Sequence, residues 1–257
     1  MGYNMKTKES WVKKFMNKIV QFIDKLLFPD NIKCLFCGRD VPDFESKPFC
    51  EECEGLIEFN NGNRCIICDE PIDNEATVCD VCQKKKRFFK KAFCPFVYGG
   101  IVRNAILGYK SSNHRYKAKA FAKYIATRIK ESGTQIDFVT YIPLTKKKEK
   151  QRSFNQSKLL AKEVAKILNV DVLNIFEKVK DASAQKFASY KERQENMIGT
   201  YKLLPMKLNK NKNYLIVDDI ITTGATVNYC AGLIHKKVQN VYVCAIARNK
   251  RKKQINS

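Results

Sequence analysis

Residues 214–226 read YLIVDDIITTGAT, and this order leaves the chain few ways to fold. An apolar run, 214–217, meets two adjacent acids, Asp218 and Asp219. A Thr-Thr-Gly-Ala-Thr turn follows, and a helical pattern begins. The segment therefore predicts a strand, a sharp turn and a helix N-terminus. The first turn of a helix has unpaired N–H groups at the positive end of its dipole, which suits a phosphate. Gly224 lets the backbone approach a ligand because it has no Cβ. Thr222, Thr223 and Thr226 add hydroxyl donors around Ala225. Carboxylates beside such a cradle suit a sugar phosphate: the acids accept from sugar hydroxyls while the turn holds the phosphate.

The rest of the C-terminal half alternates in the same sense. Residues 114–131 read as a helix, 137–142 as a buried strand and 154–168 as a helix. Residues 225–237 read as a helix and 240–246 as a strand. Alternation of this kind predicts an α/β fold, a parallel sheet flanked by helices, with ligands at the carboxyl ends of the strands. Segment 143–156, PLTKKKEKQRSFNQ, follows one such strand. It reads either as a solvated basic loop or as a loop in which Lys150 and Arg152 face a pyrophosphate, Arg152 offering bidentate geometry. Segment 185–201 is long and polar. It reads as a lid, with Gln185, Arg193 and Asn196 closing over a ligand, or as an unstructured connection.

The cysteines of the N-terminal half form four C-x-x-C pairs: Cys34/Cys37, Cys50/Cys53, Cys65/Cys68 and Cys79/Cys82. A two-residue gap lets both sulfurs of a tight knuckle reach one tetrahedral ion. Four pairs so close together predict two zinc sites rather than disulfides. Sequential pairing and an interleaved cross-brace use the same residues. A closed shell of four thiolates has no open position for substrate, so both sites are expected to be structural. So short an array needs the metal for stability. Cys94, Cys230 and Cys244 are expected in the core.

Upstream, Trp11, Phe15, Ile19, Phe22, Ile23, Leu26 and Leu27 recur at helical spacing among lysines. This predicts an amphipathic helix that packs on the protein or lies on a membrane surface or a partner. No stretch approaches the ~20 apolar residues of a membrane span, and no secretory leader is recognised, so a cytoplasmic location is expected, with the inner membrane face as a peripheral alternative. The formal charge of +22, from 48 basic and 26 acidic residues, falls only to about +18 with two tetrathiolate zinc sites. Such a chain expects an anionic partner: nucleic acid, a phosphorylated ligand or a membrane. Phe88, Phe89, Phe93 and Tyr116 lie among cations and are candidate stacking platforms, or else core.

The 214–226 segment resembles the loop that binds phosphoribosyl pyrophosphate (PRPP) in type I phosphoribosyltransferases. The order of motifs over nearly the whole chain resembles the ComF family, proteins associated with bacterial competence for DNA uptake. The carriers are Leu27–Phe28–Pro29 before Cys34-x-x-Cys37, the cysteine array, and Ile142–Pro143–Leu144 through Arg152–Ser153–Phe154–Asn155–Gln156, with Ser153 where the family usually has Gly. Gln185, Arg193 and Asn196, and then residues 215–226, complete the order. The resemblance implies a type I phosphoribosyltransferase-like domain over 87–257, a double zinc ribbon over 34–86 and the amphipathic helix within 1–33. It implies ribose held by Asp218 and Asp219, phosphate by residues 222–226, pyrophosphate facing Arg152, and Mg²⁺ arriving with PRPP. It further implies action on single-stranded DNA in transformation, with a competence helicase or channel protein as a candidate partner. The alternative is an active phosphoribosyltransferase that transfers ribose 5-phosphate from PRPP to a nitrogen acceptor. No segment identifies that acceptor.

Overall fold

The computed structural model describes residues 33–41, 47–73, 75–110, 114–180 and 197–251. The amphipathic segment at 11–27 and the candidate lid residues Gln185, Arg193 and Asn196 lie outside the described residues. The chain forms two compact units, Met1–Glu51 and Glu52–Ser257. The division falls within α1 (Glu51–Glu54), a single turn that carries Cys53.

The first unit is built on a knuckle. The N–H of Gly38 donates to Cys34 O at 3.0 Å, and Gly38 takes φ 79°, a left-handed value that glycine adopts without a Cβ clash. Lys33 and Asp40 pair across this turn. Leu35, Phe36, Val41 and Phe49 are buried beneath it, with the Phe36 and Phe49 rings 6.1 Å apart.

The second unit repeats the knuckle. Asp69 N donates to Cys65 O at 2.9 Å, Asp69 takes φ 57°, and Arg64 pairs with Pro71 as Lys33 does with Asp40. Aspartate is among the few residues that tolerate this conformation. A short helix, α2 (Asp80–Lys84), follows, and residues 85–90 lead into the sheet. The basic stretch 84–91 is therefore no linker: Lys90 N already donates to Val241 O at 2.7 Å and Phe89 is buried.

The elements that follow are β1 (Lys91–Phe93), β2 (Phe96–Val97), α3 (Gly100–Tyr109), α4 (Lys117–Glu131), β3 (Phe138–Tyr141), α5 (Lys146–Arg152), α6 (Gln156–Leu168), β4 (Asp171–Val172), β5 (Phe176–Lys178), β6 (Tyr201–Leu203), β7 (Asn213–Val217), β8 (Ile220–Ile221), α7 (Ala225–Ile234), β9 (Asn240–Cys244) and β10 (Ala247–Arg248). Five strands form one parallel sheet in the order β1-β9-β7-β3-β4. Leu215, Ile216 and Val217 of β7 are fully buried, as a parallel strand covered on both faces requires. Each such side chain contributes about 1.5–3 kcal/mol. Helices α4 and α6 pack against each other, their apolar faces carrying Phe121, Ile125, Leu160 and Val164. This is the parallel sheet flanked by helices that the alternation predicts, of the type I phosphoribosyltransferase kind.

Three strands break for two residues and then resume. β1 continues as β2, β9 as β10 and β7 as β8, and the continuations pair in the parallel order β2-β10-β8. Hydrogen bonds bridge the breaks: Asp218 N to Cys244 O at 2.9 Å, Ile246 N to Asp219 O at 3.1 Å and Ala245 N to Phe93 O at 3.1 Å. The strand read from sequence as ending at Asp218 thus runs on through Ile221. The separate pair β5 and β6 is antiparallel.

One consequence of the strand order positions the site. From β3 the chain passes through α5 and α6 to β4 on one side. From β7, the neighbour of β3, it passes through β8 and α7 to β9 on the other. Adjacent strands whose onward connections diverge leave a crevice at their carboxyl ends.

Candidate functional site

The crevice between the ends of β3 and β7 receives the predicted segments from both sides. Asp218 and Asp219 occupy the break between β7 and β8. Asp218 Oδ1 accepts from Ser157 Oγ at 3.1 Å and from the N–H of Asp219 at 2.9 Å. Asp219 pairs with Lys110 Nζ at 3.0 Å. Burial, and then the charge of Asp219, push the Asp218 carboxyl up to about 7. Two acids side by side in a half-covered crevice do not ionise freely. The pair is therefore poised to accept hydroxyl hydrogens from a ligand or to meet its cation.

Past β8 the backbone turns at Thr222, Thr223 and Gly224. Gly224 takes φ 76° and ψ 10° and is the N-cap of α7. A Cβ there would stand 3.3 Å from Arg87 Nη1 and 3.7 Å from Ile221 Cγ2. The glycine is thus required twice, by its backbone angle and by its neighbours. Thr222 is exposed and Thr223 half-buried. Ala225 N donates to Thr223 Oγ1 at 3.3 Å, and Thr226 Oγ1 donates to Met197 Sδ at 3.7 Å. Helix α7 begins here, so its dipole and first N–H groups face this turn.

The segment after β3 is not the loop expected from its composition. Residues 146–152 form α5, capped by Thr145, whose Oγ1 accepts from Lys148 N at 3.4 Å. A capping threonine and a run of good helix formers suffice for two turns. Lys150 is exposed. Arg152 is half-buried, and its Nη1 donates to Gln156 Oε1 at 3.4 Å. Gln156 precedes Ser157, which reaches Asp218, so the structure brings Arg152 to the same end of the sheet as the paired acids. Ser153 ends α5 at φ 63°, where a glycine would fit without strain. This accounts for the position at which the sequence departs from the ComF pattern. Asn155 caps α6 by accepting from Lys158 N at 3.0 Å, and its Nδ2 donates to Ile142 O at 3.2 Å. Gln156 Nε2 donates to Lys110 O at 3.3 Å, and Tyr109 Oη donates to Gln156 O at 2.8 Å. Asn155 and Gln156 thus hold α6 to β3 and α3, a positioning role.

Sequence reasoning missed Lys110, Ser157, Arg87 and Arg248. Only the strand–turn–helix pattern carries a local signal, and these four reach the loop from distant segments. The candidate aromatic platforms are mostly core: Phe89 and Phe93 are buried, and Phe88 packs 4.6 Å from the His235 ring. Tyr116 is half-buried beside His114. Cys94, Cys230 and Cys244 are fully buried, as expected.

The eight array cysteines form two groups, Cys34, Cys37, Cys50 and Cys53, and Cys65, Cys68, Cys79 and Cys82, with each group's sulfurs within 4.8 Å of one another. The sequential pairing is the one adopted. A tetrahedral ion bound at ~2.3 Å separates its sulfurs by about 3.8 Å. The Cys37–Cys50 and Cys68–Cys79 separations of 3.7 and 3.6 Å fit that geometry. Four thiolates suit zinc, and no carboxylate or histidine completes either group. The guanidinium groups of Arg39, Arg87, Arg248 and Arg251 donate to these sulfurs, with Arg39 Nε 3.4 Å from Cys37 and Arg251 Nη2 3.2 Å from Cys79. Such partners offset the net negative charge of a tetrathiolate centre. Hydrogen bonds from the Cys65, Cys79 and Cys82 sulfurs, with the Arg248 charge adding, hold the Cys68 thiol far below its ordinary range.

No protein-family model matches the chain. Among curated proteins it is 25% identical to competence protein F of Haemophilus influenzae, over 85% of this chain and 97% of that protein. It is 27% identical to competence protein ComFC of Streptococcus pneumoniae, over 80% and 94%. It is 25% identical to the DNA utilization protein YhgH of Escherichia coli K12, over 66% and 77%. Solved structures similar to it include adenine phosphoribosyltransferase from Saccharomyces cerevisiae, at 16% identity and TM-score 0.34 over 55% of this chain and 71% of that one. The enzyme from Leishmania tarentolae matches at 11% and 0.35 over 57% and 74%. The chain is thus similar to ComF-type competence proteins over most of its length. No described helix is long and apolar enough to cross a membrane.

Proposed function

We propose that this ComF-type chain acts in DNA uptake, using its crevice to bind PRPP or a related ribose phosphate together with Mg²⁺, and that it binds single-stranded DNA. The observation that carries the ligand reading is the meeting, at one divergence of strand connections, of the paired acids with a glycine-capped helix N-terminus. Asp218 and Asp219 would accept from the ribose 2′- and 3′-hydroxyls. The turn at 222–226 would hold the 5′-phosphate, and Arg152, with Lys150 on the same short helix, would face the pyrophosphate. Lys110, now paired with Asp219, would exchange that partner for the ligand's oxygens. Mg²⁺ bound to the ligand would offset the charge of the pyrophosphate. The lid role of Gln185 and Arg193 belongs to the same reading.

Titration of PRPP·Mg²⁺ into the wild type and into an Asp218→Asn/Asp219→Asn variant tests it. Micromolar binding by the wild type and at least about tenfold weaker binding by the variant are expected, since two charge-assisted hydrogen-bond acceptors are altered. Equal affinity, or none in either protein, would refute the pocket. Single-stranded DNA is tested separately at low salt, where backbone contacts are strongest. Absence of binding there would remove that half of the reading. Pyrophosphate release in the presence of candidate nitrogen acceptors would distinguish the transferase alternative.

A further inference from the structure

Arg248 lies in β10 with a side chain that is 0% exposed. An arginine so placed needs an acceptor for each of its five N–H groups. It has them, and they come from two places. Nε donates to Cys68 O at 3.0 Å, and Nη2 donates to Cys68 Sγ at 3.7 Å and to Glu70 Oε2 at 3.3 Å. Nη1 donates to Ile221 O at 2.9 Å and to Thr222 O. One edge of the guanidinium is therefore fixed on the second cysteine knuckle. The other edge holds the carbonyls where the ligand turn begins.

Arg87 makes the same connection from another direction. Its Nε donates to Cys82 Sγ at 3.4 Å and its Nη2 to Thr223 O at 3.4 Å. Three successive carbonyls of the turn, those of residues 221, 222 and 223, are thus held by two cations, both in contact with sulfurs of one four-cysteine group. Pointing these carbonyls at the arginines turns the intervening N–H groups the other way, the orientation a phosphate needs. Arg251 completes the set on the metal side, donating to Cys79 Sγ at 3.2 Å and pairing with Glu70.

We propose that the second four-cysteine site positions the ligand turn: Arg248 and Arg87, anchored on its thiolates, fix the carbonyls of Ile221, Thr222 and Thr223, so that metal occupancy there sets the affinity for a phosphorylated ligand. The zinc ribbon is then a part of the pocket wall as well as a fold-stabilising module. Without the ion, the group becomes neutral thiols, and the arginines lose the anionic partner that orients them. The affinity consequence rests on the PRPP reading above, whereas the positioning of the turn does not.

The test uses the full chain and two readouts, hydrogen exchange of the amides of residues 220–228 and titration with PRPP·Mg²⁺. An Arg248→Lys/Arg87→Met variant that retains two equivalents of zinc should exchange these amides about tenfold faster and bind PRPP at least about tenfold more weakly, the loss expected for broken hydrogen bonds to a charged donor. Exchange and affinity both within about twofold of the wild type would overturn the proposal. A Cys79→Ser/Cys82→Ser variant, missing the second-site metal, should reproduce both effects. Cys37→Ser/Cys50→Ser controls for a general loss of zinc, and equal loosening of the turn in that control would also overturn the proposal. If the second-site cysteine variant does not fold, the arginine variant decides. If the wild type binds no PRPP, the pocket reading fails, while hydrogen exchange still decides whether these arginines hold the turn.

Discussion

Replacing Asp218 with asparagine should stabilise the ligand-free protein, by an amount that grows with pH. In the fold this carboxyl is pushed up to about 7 from an ordinary value of 3.8, by burial and then by the Asp219 charge. The sign follows from proton counts. The unfolded chain releases the proton near pH 4, and the folded chain retains it to about 7. Over that window the folded state binds more protons, so stability falls as pH rises and levels off above it. The gap is worth about 4 kcal/mol at ~1.4 kcal/mol per pH unit. Solvent reaching a half-buried carboxyl reduces the expected effect to about 2 kcal/mol. Asparagine retains an oxygen for the Ser157 and Asp219 donors and has no charge to desolvate. Urea unfolding of both proteins in zinc-containing buffer, at steps from pH 4.5 to 8, measures the difference. The curves should converge at the acid end and separate by about 2 kcal/mol at pH 8. Parallel curves across the range would refute the reasoning. The same substitution should weaken PRPP·Mg²⁺ binding, so the native acid lowers stability at a position the ligand needs.

Ser153→Gly should raise stability by about 0.5–1 kcal/mol in thermal unfolding, because a left-handed φ of 63° is strained for serine and free for glycine. A lower melting temperature would contradict this. Gly224→Ala should cost about 1–2 kcal/mol and weaken PRPP binding more than tenfold, through its φ of 76° and the 3.3 Å approach to Arg87; unchanged affinity in calorimetry would argue against the turn as the phosphate seat. Thr140→Val should be neutral or stabilising by about 1 kcal/mol, since Thr140 Oγ1 is a buried atom with no hydrogen-bond partner among the described residues; a clear loss in urea unfolding would count against that. Thiol-specific displacement should release two equivalents of zinc per chain, and a colorimetric chelator assay returning one or none would contradict the paired groups.

Local pattern carried the elements of this fold and the identity of its ligand-facing residues. The strand 214–217, the glycine that follows and the helix after it were legible because each depends on neighbours in sequence. The same holds for the eight cysteines, whose two-residue spacing suits a knuckle at Gly38 and again at Asp69. Composition misled in two places. The cationic segment after β3 reads as a loop by charge, yet Thr145 caps it and it forms α5. The 84–91 stretch reads as a separator by its lysines, yet Phe89 anchors it in the core and β1 starts within it.

What tertiary structure alone decided is which segments meet. Pairing β7 with β3 on one side and β9 on the other placed the divergence of connections beside Asp218 and Asp219, and strand order has no local signature. The choice between sequential and interleaved cysteine pairing was likewise a matter of closure in space, since both use the same spacing. The link from Cys68 and Cys82 to the turn runs through Arg248 and Arg87, residues separated from the turn by 26 and 136 positions in sequence. An arginine acquires such a role only when burial leaves its N–H groups no water to bond, and burial is a property of the folded chain.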